Sequence, residues 1–370
     1  MEYITLGSNN ISRLGFGCMR LPYEDGNVDY NASMEMVDYA IQSGVNYFDT
    51  AYVYLDGKSE LFVKEIIKKY GRNKIYIADK LPIYFCKEES DLDKYLDEQL
   101  ERLETDYIDY YLFHALNKNN YSIMKTCNYK DFIKRNMENG KIKHIGFSFH
   151  DELEVFKKII NDYNWDFCQI QFNYIDTTYQ AGIEGLEYAE KKNIPVIVME
   201  PIRGGRLAKI PQNVRDIFDN SRFASEHDAS IALRYVANYE NTKCILSGMR
   251  VLSDVEANIT LFGKPLINDL TKEDVAVYEK AKEEFEELSL INCTCCDYCK
   301  KGCPKQIPIS EIFTKFNQSL ISGGLEGRMW YEEQKKTFKS CINCMKCEKS
   351  CPQNLKITEK LKIVDEYFSK

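Results

Sequence analysis

The sequence lacks an apolar run long enough to cross a membrane. A membrane-spanning helix needs about 18 or more consecutive apolar residues, and no stretch of the 370 residues reaches that length. The first residues, MEYITLGSNN, contain neither a basic segment nor an apolar segment, so they do not match a secretory leader. We therefore expect a cytoplasmic protein that has no membrane partner.

An excess of positive charge is also missing. The formal net charge is −8 at pH 7, from 49 basic and 57 acidic side chains. An acidic surface repels a phosphate backbone, which argues against nucleic acid as a partner. Apolar residues make up 44% of the chain, which is enough for a sizeable core in a globular protein.

The nucleotide-binding fingerprint G-x-G-x-x-G is absent after the first apolar run. Gly15 and Gly17 supply only G-x-G, and Cys18, Met19 and Arg20 follow them. An open, doubly wound sheet that binds a dinucleotide would be expected to carry the complete fingerprint. The sequence also has no P-loop pattern, so this class of α/β fold is the less favoured alternative.

Apolar runs alternate with helical-period segments from the start to about residue 265. Eight runs are present, one near Leu14 and the others ending near residues 49, 80, 114, 148, 173, 200 and 248. The first four of these ends lie 31, 34 and 34 residues apart, about one βα unit each. The pattern predicts an α/β fold with a (β/α)8 TIM barrel. With a connecting helix over 271–288, this domain is expected to span residues 1–288.

Four side chains capable of acid–base chemistry lie at or just after predicted strand ends: Asp49, Tyr54, Lys80 and His114. In such barrels the carboxyl ends of the strands form one mouth. An ammonium near a tyrosine favours the phenolate, so Lys80 is expected to lower the pKa of Tyr54. Asp49 would hold Lys80, and His114 would orient a carbonyl oxygen or relay a proton. The set predicts a general acid for carbonyl reduction by hydride, with Tyr52 as the rival tyrosine.

Residues 1 to about 265 resemble the aldo-keto reductase family. The resemblance is carried by the segments LGFGCMRLP, NYFDTAYVY with the following GKSE, IADKLP, DYIDYYLFH, IGFS, QIQFNYID, VIVMEPIRGGRL and LSGM. It implies a small-molecule carbonyl substrate and catalytic roles for Asp49, Tyr54, Lys80 and His114.

The same resemblance implies a site for NADPH or NADH. The implied nicotinamide contacts are Ser148, Gln169 and Met199, and the implied pyrophosphate and adenosine contacts are Gly248, Arg250 and Asn258. Met199 stands where many relatives have a tyrosine that stacks on the ring. Asp254 stands where NADPH-preferring relatives often have an arginine, and Arg250 is the alternative ligand for the 2′-phosphate.

Nine of the 14 cysteines lie between residues 293 and 351. Two runs share the spacing C-x2-C-x2-C-x3-C-P, which is typical of ferredoxins with two iron–sulfur clusters, where the fourth cysteine binds the other cluster. The predicted ligands of one [4Fe–4S] cluster are Cys293, Cys296, Cys299 and Cys351. The predicted ligands of the other are Cys341, Cys344, Cys347 and Cys303. Zinc is the alternative, although zinc sites usually pair two C-x2-4-C hooks.

Residues 289–370 are thus predicted to form a small ferredoxin-type domain, and the helical spacing between the two runs resembles the α-helical ferredoxin type. Cys295 is left over as a bystander. The remaining cysteines, Cys18, Cys86, Cys127, Cys168 and Cys244, are expected in the core.

Three functional interpretations remain open at this stage, because a nicotinamide passes two electrons together and an iron–sulfur cluster passes one. In the first interpretation the barrel is a carbonyl reductase and the clusters are structural or regulatory. In the second, the clusters exchange electrons with a flavin-containing or other electron-transfer protein. In the third interpretation the barrel is catalytically silent and the protein is an electron-transfer adaptor.

Overall fold

The computed structural model describes residues 1–288, 290–322 and 325–369, so residues 289, 323, 324 and 370 of the predicted second domain lie outside the described residues. The chain divides into two compact units. The first contains Met1–Pro201 and Ser230–Thr271, and the second contains Ile202–Ala229 and the chain from Lys272 onward. The second unit therefore includes two segments that the sequence analysis assigned to residues 1–288.

The strands, in chain order, are β1 Tyr3–Leu6, β2 Asn9–Ser12, β3 Leu14–Gly17, β4 Tyr23–Glu24, β5 Asn27–Val28, β6 Tyr47–Asp49, β7 Tyr76–Leu81, β8 Ile108–Leu116, β9 Ile142–Phe149, β10 Phe167–Gln171, β11 Val196–Met199 and β12 Thr242–Ser247. Within the described residues, β3 and β6–β12 form a closed parallel barrel in that order, with β12 pairing back to β3. The predicted eight-stranded TIM barrel is confirmed. The short antiparallel hairpins β1–β2 and β4–β5 were not predicted.

The helices, in chain order, are α1 Tyr30–Gln42, α2 Lys58–Tyr70, α3 Glu89–Leu103, α4 Lys118–Thr126, α5 Tyr129–Glu138, α6 Leu153–Ile160, α7 Gly182–Lys191, α8 Gln212–Asp219, α9 Asp228–Ala237, α10 Leu252–Phe262, α11 Lys272–Glu287, α12 Tyr298–Gly302, α13 Ile309–Ser322, α14 Leu325–Phe338, α15 Lys346–Lys349 and α16 Ile357–Ser369. Side chains accept hydrogen bonds from backbone amides at the starts of several helices. Asp29 accepts from the Ala32 amide, and Asn117 accepts from two amides of α4.

The barrel strands are buried on both faces, as parallel strands covered by helices usually are. Gly15 shows what this packing requires. A Cβ at this position would lie 2.7 Å from both Cys244 Sγ and Leu246 Cδ2. The G-x-G pattern of β3 is therefore explained by close packing inside the barrel.

The β1–β2 hairpin contributes to the apolar cluster of the barrel. Leu6 and Ile11 are buried with Tyr47, Tyr110 and Phe167 in this cluster, and the Tyr110 hydroxyl donates to the Leu6 carbonyl at 3.0 Å. Burying one such apolar side chain contributes about 1.5–3 kcal/mol. The five scattered cysteines are all buried, as expected for core residues.

The second unit has an apolar core of its own. Ile312, Phe313, Tyr331 and Val364 are fully buried there, and several of the clustered cysteines pack against this core. The Asn317 side chain bonds both the amide and the carbonyl of Ile291, at 2.8 and 3.0 Å, which fixes the start of the cysteine-rich segment. Among the helices of the described residues, none is both long enough and apolar enough to span a lipid bilayer.

Candidate active site and cysteine-lined cavities

Three adjacent strands bring the predicted acid–base residues together. Asp49 ends β6, Lys80 lies near the end of β7, and His114 lies near the end of β8. These strands are neighbours in the barrel, and Tyr54 lies in the loop after β6. All four side chains are buried, with exposures of 3%, 0%, 6% and 8% for Asp49, Lys80, His114 and Tyr54.

A buried ion pair forms the base of this group. Lys80 Nζ donates to Asp49 Oδ1 at 2.6 Å and to the Thr50 carbonyl at 2.7 Å. Burial raises the pKa of Asp49, and the Lys80 ammonium offsets part of that rise. Because a buried charge needs a partner with good geometry, the ion pair keeps the ammonium in a fixed position.

Tyr54 contacts this ammonium, whereas Tyr52 does not lie beside it. Lys80 Nζ is 4.7 Å from the centroid of the Tyr54 ring, within the range of a cation–π contact. The Tyr52 hydroxyl instead donates to Glu98 at 2.7 Å, and the Arg102 guanidinium lies 4.0 Å from its ring centroid. The geometry separates the two tyrosines, which the sequence could not do.

His114 lies beside Tyr54, with ring centroids 5.8 Å apart and planes at 79°. Burial, with smaller contributions from Lys80 and His150, lowers the pKa of His114 well below its usual value of 6.5. The imidazole is therefore neutral at pH 7. Its Nδ1 lies 3.3 Å from the Tyr84 hydroxyl, and in the tautomer that accepts this bond Nε2 carries the proton.

Tyr84 was missed by the sequence analysis. It lies in the loop between β7 and α3, four residues after Lys80. An aromatic residue just after IADKLP was the available signal, but 26 tyrosines in the chain obscured it.

The predicted nicotinamide contacts lie on neighbouring strands. Ser148 and Gln169 are direct partners in the β9–β10 ladder, and Met199 pairs with Gln171 at the end of β11. The Ser148 hydroxyl accepts from the Ala115 amide at 2.7 Å. Gln169 Oε1 is buried and has no partner among the described residues. A buried amide oxygen without a donor suits the amide hydrogens of a nicotinamide.

The predicted pyrophosphate segment follows β12. The Asn258 side chain donates to Ser247 Oγ at 3.0 Å, and Arg250 is exposed. A Cβ at Gly248 would lie 3.0–3.2 Å from three carbons of the Arg20 side chain. Arg20 is therefore next to this segment, although the sequence analysis did not assign it a role.

Asp254 has a structural partner that its sequence position did not reveal. Its carboxylate accepts from the Arg250 amide at 3.0 Å and the Val251 amide at 3.4 Å. The side chain thus caps the start of α10, where a carboxylate is favoured by the helix dipole. Among the predicted residues of this segment, Arg250 is the exposed cation.

A buried polar network that the sequence analysis did not identify holds the main chain of Lys80. Gln99 donates to the Lys80 carbonyl at 3.2 Å and to Glu60 at 3.1 Å, and it accepts from Tyr111 at 2.6 Å. Arg102 pairs with the other Glu60 oxygen at 2.7 Å. Glu60 and Gln99 are both fully buried, so α2 and α3 together fix the strand segment that carries the ammonium.

The residue before Lys80 adds to this network. Asp79 accepts from the Lys80 amide at 2.7 Å. Burial raises the pKa of Asp79 well above its usual range, and the Glu60 carboxylate adds to that rise. Burial also raises the pKa of Glu60, but Arg102 offsets part of that rise, so the larger upward shift is at Asp79.

The clustered cysteines surround two cavities in the second unit. One cavity is lined by the first set, Cys293, Cys296, Cys299 and Cys351. The other cavity is lined by the second set, Cys303, Cys341, Cys344 and Cys347. The structure therefore groups each run's first three cysteines with the fourth cysteine of the other run.

One thiol of each set, Cys299 and Cys347, is buried in low-dielectric surroundings. Burial, with the neighbouring Cys296 and Cys351, raises the pKa of Cys299 to about 12. Burial also raises the pKa of Cys347 to about 11, and Cys303 contributes to that rise. Thiolates at these positions need a compensating positive charge.

The leftover cysteine does not line either cavity. Cys295 Sγ lies 3.3 Å from Thr314 Oγ1, and its amide donates to Cys293 Sγ at 3.4 Å. In the described residues, no group of three or more His, Cys, Asp or Glu side chains converges on a position for a single metal ion.

The fold and the barrel site define a TIM-barrel enzyme. A model of the aldo/keto reductase family matches residues 13–283, so the chain belongs to this family of NAD(P)-dependent oxidoreductases. The match ends before the first cysteine run.

Individual relatives support the same assignment. The probable aldo-keto reductase 1 of Glycine max is 33% identical over 160 residues, 40% of this chain and 45% of the relative. The alignments span 45% to 64% of the lengths of this and two further curated relatives.

Solved structures share the fold. The holo form of aldo-keto reductase AKR11C1 from Bacillus halodurans has a TM-score of 0.62 and 21% identity, covering 76% of this chain and 96% of that chain. An aldo/keto reductase from Klebsiella pneumoniae in complex with NADP and acetate has a TM-score of 0.59 and 19% identity, covering 74% and 93%.

Proposed function

We propose that this protein reduces an aldehyde or ketone to an alcohol with NADPH or NADH, and that its cysteine-rich part binds two [4Fe–4S] clusters. The observation that carries the catalytic half is the position of Lys80, 2.6 Å from Asp49 and 4.7 Å from the Tyr54 ring centroid. An ion-paired ammonium against a buried tyrosine suits a general acid.

The bound nicotinamide supplies the hydride in this reaction. Neutral His114 orients the substrate by donating from Nε2 to the carbonyl oxygen, while the Tyr54 hydroxyl donates its proton to that oxygen. Lys80 stabilises the phenolate left on Tyr54, and Asp49 keeps the ammonium in place. The buried positions of these groups exclude water and strengthen each charge interaction.

The coenzyme residues fit the group that they are proposed to hold. Gln169, with its unpartnered amide oxygen, and Ser148 would bind the carboxamide, and Met199 would contact the ring. Gly248, Arg250 and Asn258 would hold the diphosphate and adenosine part. The Klebsiella relative binds NADP, and Arg250 is the cation available here for a 2′-phosphate, so we favour NADPH over NADH.

The cysteine sets also fit the proposed clusters, and residues 289–370 would then form the ferredoxin-type domain. A cubane binds its thiolates at four different iron atoms, so its ligands surround a cavity and do not converge on one point. The two sets of four cysteines line cavities in this way. An amide directed at a ligand sulfur, as at Cys293, is a contact that tunes such clusters. A [4Fe–4S] cluster supplies storage and transfer of single electrons.

Turnover by paired tyrosine variants tests the catalytic proposal. Protein purified without oxygen is supplied with NADPH and a panel of small aldehydes, and NADPH oxidation is followed. Removing the proton donor in Tyr54→Phe should lower kcat by about 10³-fold, the usual contribution of a general acid. Tyr52→Phe, which removes a hydroxyl bound to Glu98, is the matched control and should retain most activity.

Equal activity of wild type and Tyr54→Phe would contradict the proposal. Absence of turnover with every aldehyde, in protein that still takes up one-electron equivalents, would support the adaptor with a silent barrel. Iron and acid-labile sulfide analysis tests the second half, for which about eight of each per chain are expected. Zinc in their place would overturn the cluster assignment.

A further inference from the structure

The two cysteine-lined cavities differ in their exposure. Around the second set, the five consecutive residues from Ile342 to Lys346 are all exposed, including Cys344. Ile342 is 58% exposed and Met345 is 51% exposed, and both line the cavity. In the first set, Cys299 is buried, the other thiols are half-buried, and the adjacent Thr294 is 4% exposed.

The residues around the exposed set carry a concentrated positive charge. The segments 299–306 and 339–349, which we call the cysteine-loop face, contain six lysines and one glutamate. The lysines are all exposed: Lys300, Lys301, Lys305, Lys339, Lys346 and Lys349. The one acid, Glu348, accepts bonds from the Thr358 amide and hydroxyl at 2.8 and 2.6 Å.

This positive charge is opposite in sign to the net charge of the rest of the chain. Residues 289–370 contain 14 basic and nine acidic side chains, a net charge of +5, while residues 1–288 contain 35 and 48, a net charge of −13. Helices α12 and α15 pack together, and a Cβ at Gly302 would lie 3.6 Å from Ser350 Oγ and 3.8 Å from the Lys346 carbonyl. The two lysine-bearing segments are therefore parts of one surface.

An apolar centre with a polar rim is the usual composition of a protein interface. Here Ile342 and Met345 form the centre, and the lysines form the rim. A basic rim speeds the approach of an acidic partner and determines its orientation. The thiols beneath this centre specify the kind of partner, because electron transfer needs the two redox groups close together.

We propose that the cysteine-loop face docks an acidic protein that carries one electron at a time, an inference that rests on the proposed function. The interface is expected to be small and short-lived, as electron-transfer encounters usually are. The partner contributes carboxylates that face the lysines and an apolar patch that covers Ile342 and Met345.

Binding of an acidic flavodoxin with its FMN, used as the probe, tests this inference by calorimetry at low and high salt. Wild type should bind, and binding should weaken as salt rises because the charges are screened. The double variant Lys305→Glu with Lys346→Glu should weaken binding by about tenfold or more at low salt. The matched control, Lys191→Glu with Lys192→Glu, makes the same charge change at exposed positions of the barrel unit and should leave the affinity within about twofold.

A second variant tests the apolar centre. Met345→Ser should weaken binding without changing its salt dependence, since it removes apolar contact and no charge. The visible absorption and iron content of each variant are measured first. Protein without iron and sulfide overturns the cluster proposal, and this inference with it. Three results with iron-loaded protein would overturn the docking inference alone. The protein does not bind the flavodoxin, or both double variants bind it equally well, or the protein instead self-associates through this face.

Discussion

The barrel mouth and the cysteine-rich unit assemble their groups in opposite ways. Asp49, Lys80 and His114 are 31 and 34 residues apart in the sequence and become neighbours only because their strands are adjacent in the barrel. Six of the eight cavity-lining cysteines come from two short C-x2-C-x2-C runs. A site built by topology is invisible to local spacing, while a site built by spacing is visible in the sequence.

The exception within the cysteine-rich unit is the fourth cysteine of each run. Cys303 lines the cavity of the second run and Cys351 lines that of the first. Each cavity therefore needs both runs, so these two positions depend on tertiary structure as the barrel mouth does. Substitutions at these positions compare the two modes of assembly directly.

The largest expected effect is the loss of one whole cluster. Cys303→Ala should reduce the iron content to about four atoms per chain. Because Cys303 and Cys341 are assigned to the same cluster, Cys303→Ala and Cys341→Ala should keep the same remaining cluster and show the same electron paramagnetic resonance spectrum. Cys295→Ala is the control and should keep about eight iron atoms, because Cys295 lines neither cavity. A Cys303→Ala spectrum that instead matches Cys293→Ala would show that the runs do not exchange their fourth cysteines.

A smaller effect is expected from the network behind Lys80. Gln99→Ala removes the bond to the Lys80 carbonyl and the bonds that Gln99 makes with Glu60 and Tyr111. We expect kcat to fall by about tenfold with little change in the KM for NADPH, because a small displacement of a catalytic group is costly. The alkaline limb of the kcat profile should move to higher pH, since the ammonium that favours the Tyr54 phenolate is held less firmly.

Asn136→Ala is the matched control for Gln99→Ala. Asn136 is also a buried amide in a helix, bonded to Asp93 and to the Phe132 carbonyl, but it does not contact Lys80. It should lower the melting temperature without moving the pH profile. If both variants shift the profile equally, Gln99 has only a structural role.

Two histidines of the barrel, the buried His114 and the half-buried His150, predict how stability changes with pH. Burial lowers the pKa of His150 to about 4 and that of His114 well below 6.5. Below pH ~6.5 the unfolded chain binds protons at these side chains while the folded protein does not, so the stability present above that pH is lost as the pH falls. The loss is at most about 1.4 kcal/mol per pH unit for each histidine.

Melting temperatures of wild type and His150→Gln between about pH 7.5 and 5 check this prediction. The variant should lose less stability across this range, since it lacks one of the two groups. Parallel curves for the two proteins would contradict the assignment of His150 as neutral in the folded protein. Residues 289–370 contain no histidine, so this part of the chain should not show this feature.

The smallest expected effect concerns coenzyme choice. Arg250 is exposed, so its pairing with a 2′-phosphate is worth up to about 1 kcal/mol. Arg250→Ala should raise the KM for NADPH by about two- to fivefold and leave that for NADH unchanged. An equal change for both coenzymes would assign the phosphate contact elsewhere, with Arg20 beside Gly248 as the next residue to test.

Much of the barrel could be predicted from the sequence, because its strands are continuous apolar runs separated by amphipathic helices. The unit to which residues 202–229 belong was harder to predict, since this segment continues the same alternation of helical segments but belongs to the second compact unit. Asp254 was also misleading. Its position suggested a replaced coenzyme ligand, whereas its carboxylate caps α10.

The sequence by itself determined the order of strands and helices, the family and the spacing of the cysteine runs. These features depend on local period and on residues a few positions apart, which the linear chain displays directly. Only the tertiary structure decided that Tyr54 and not Tyr52 meets Lys80 and that Gln99 and Glu60 hold the Lys80 main chain. Only the tertiary structure placed the more exposed cysteine set within a rim of lysines. These outcomes depend on which distant segments pack together, and burial then fixes the charge and hydrogen bonding of each group.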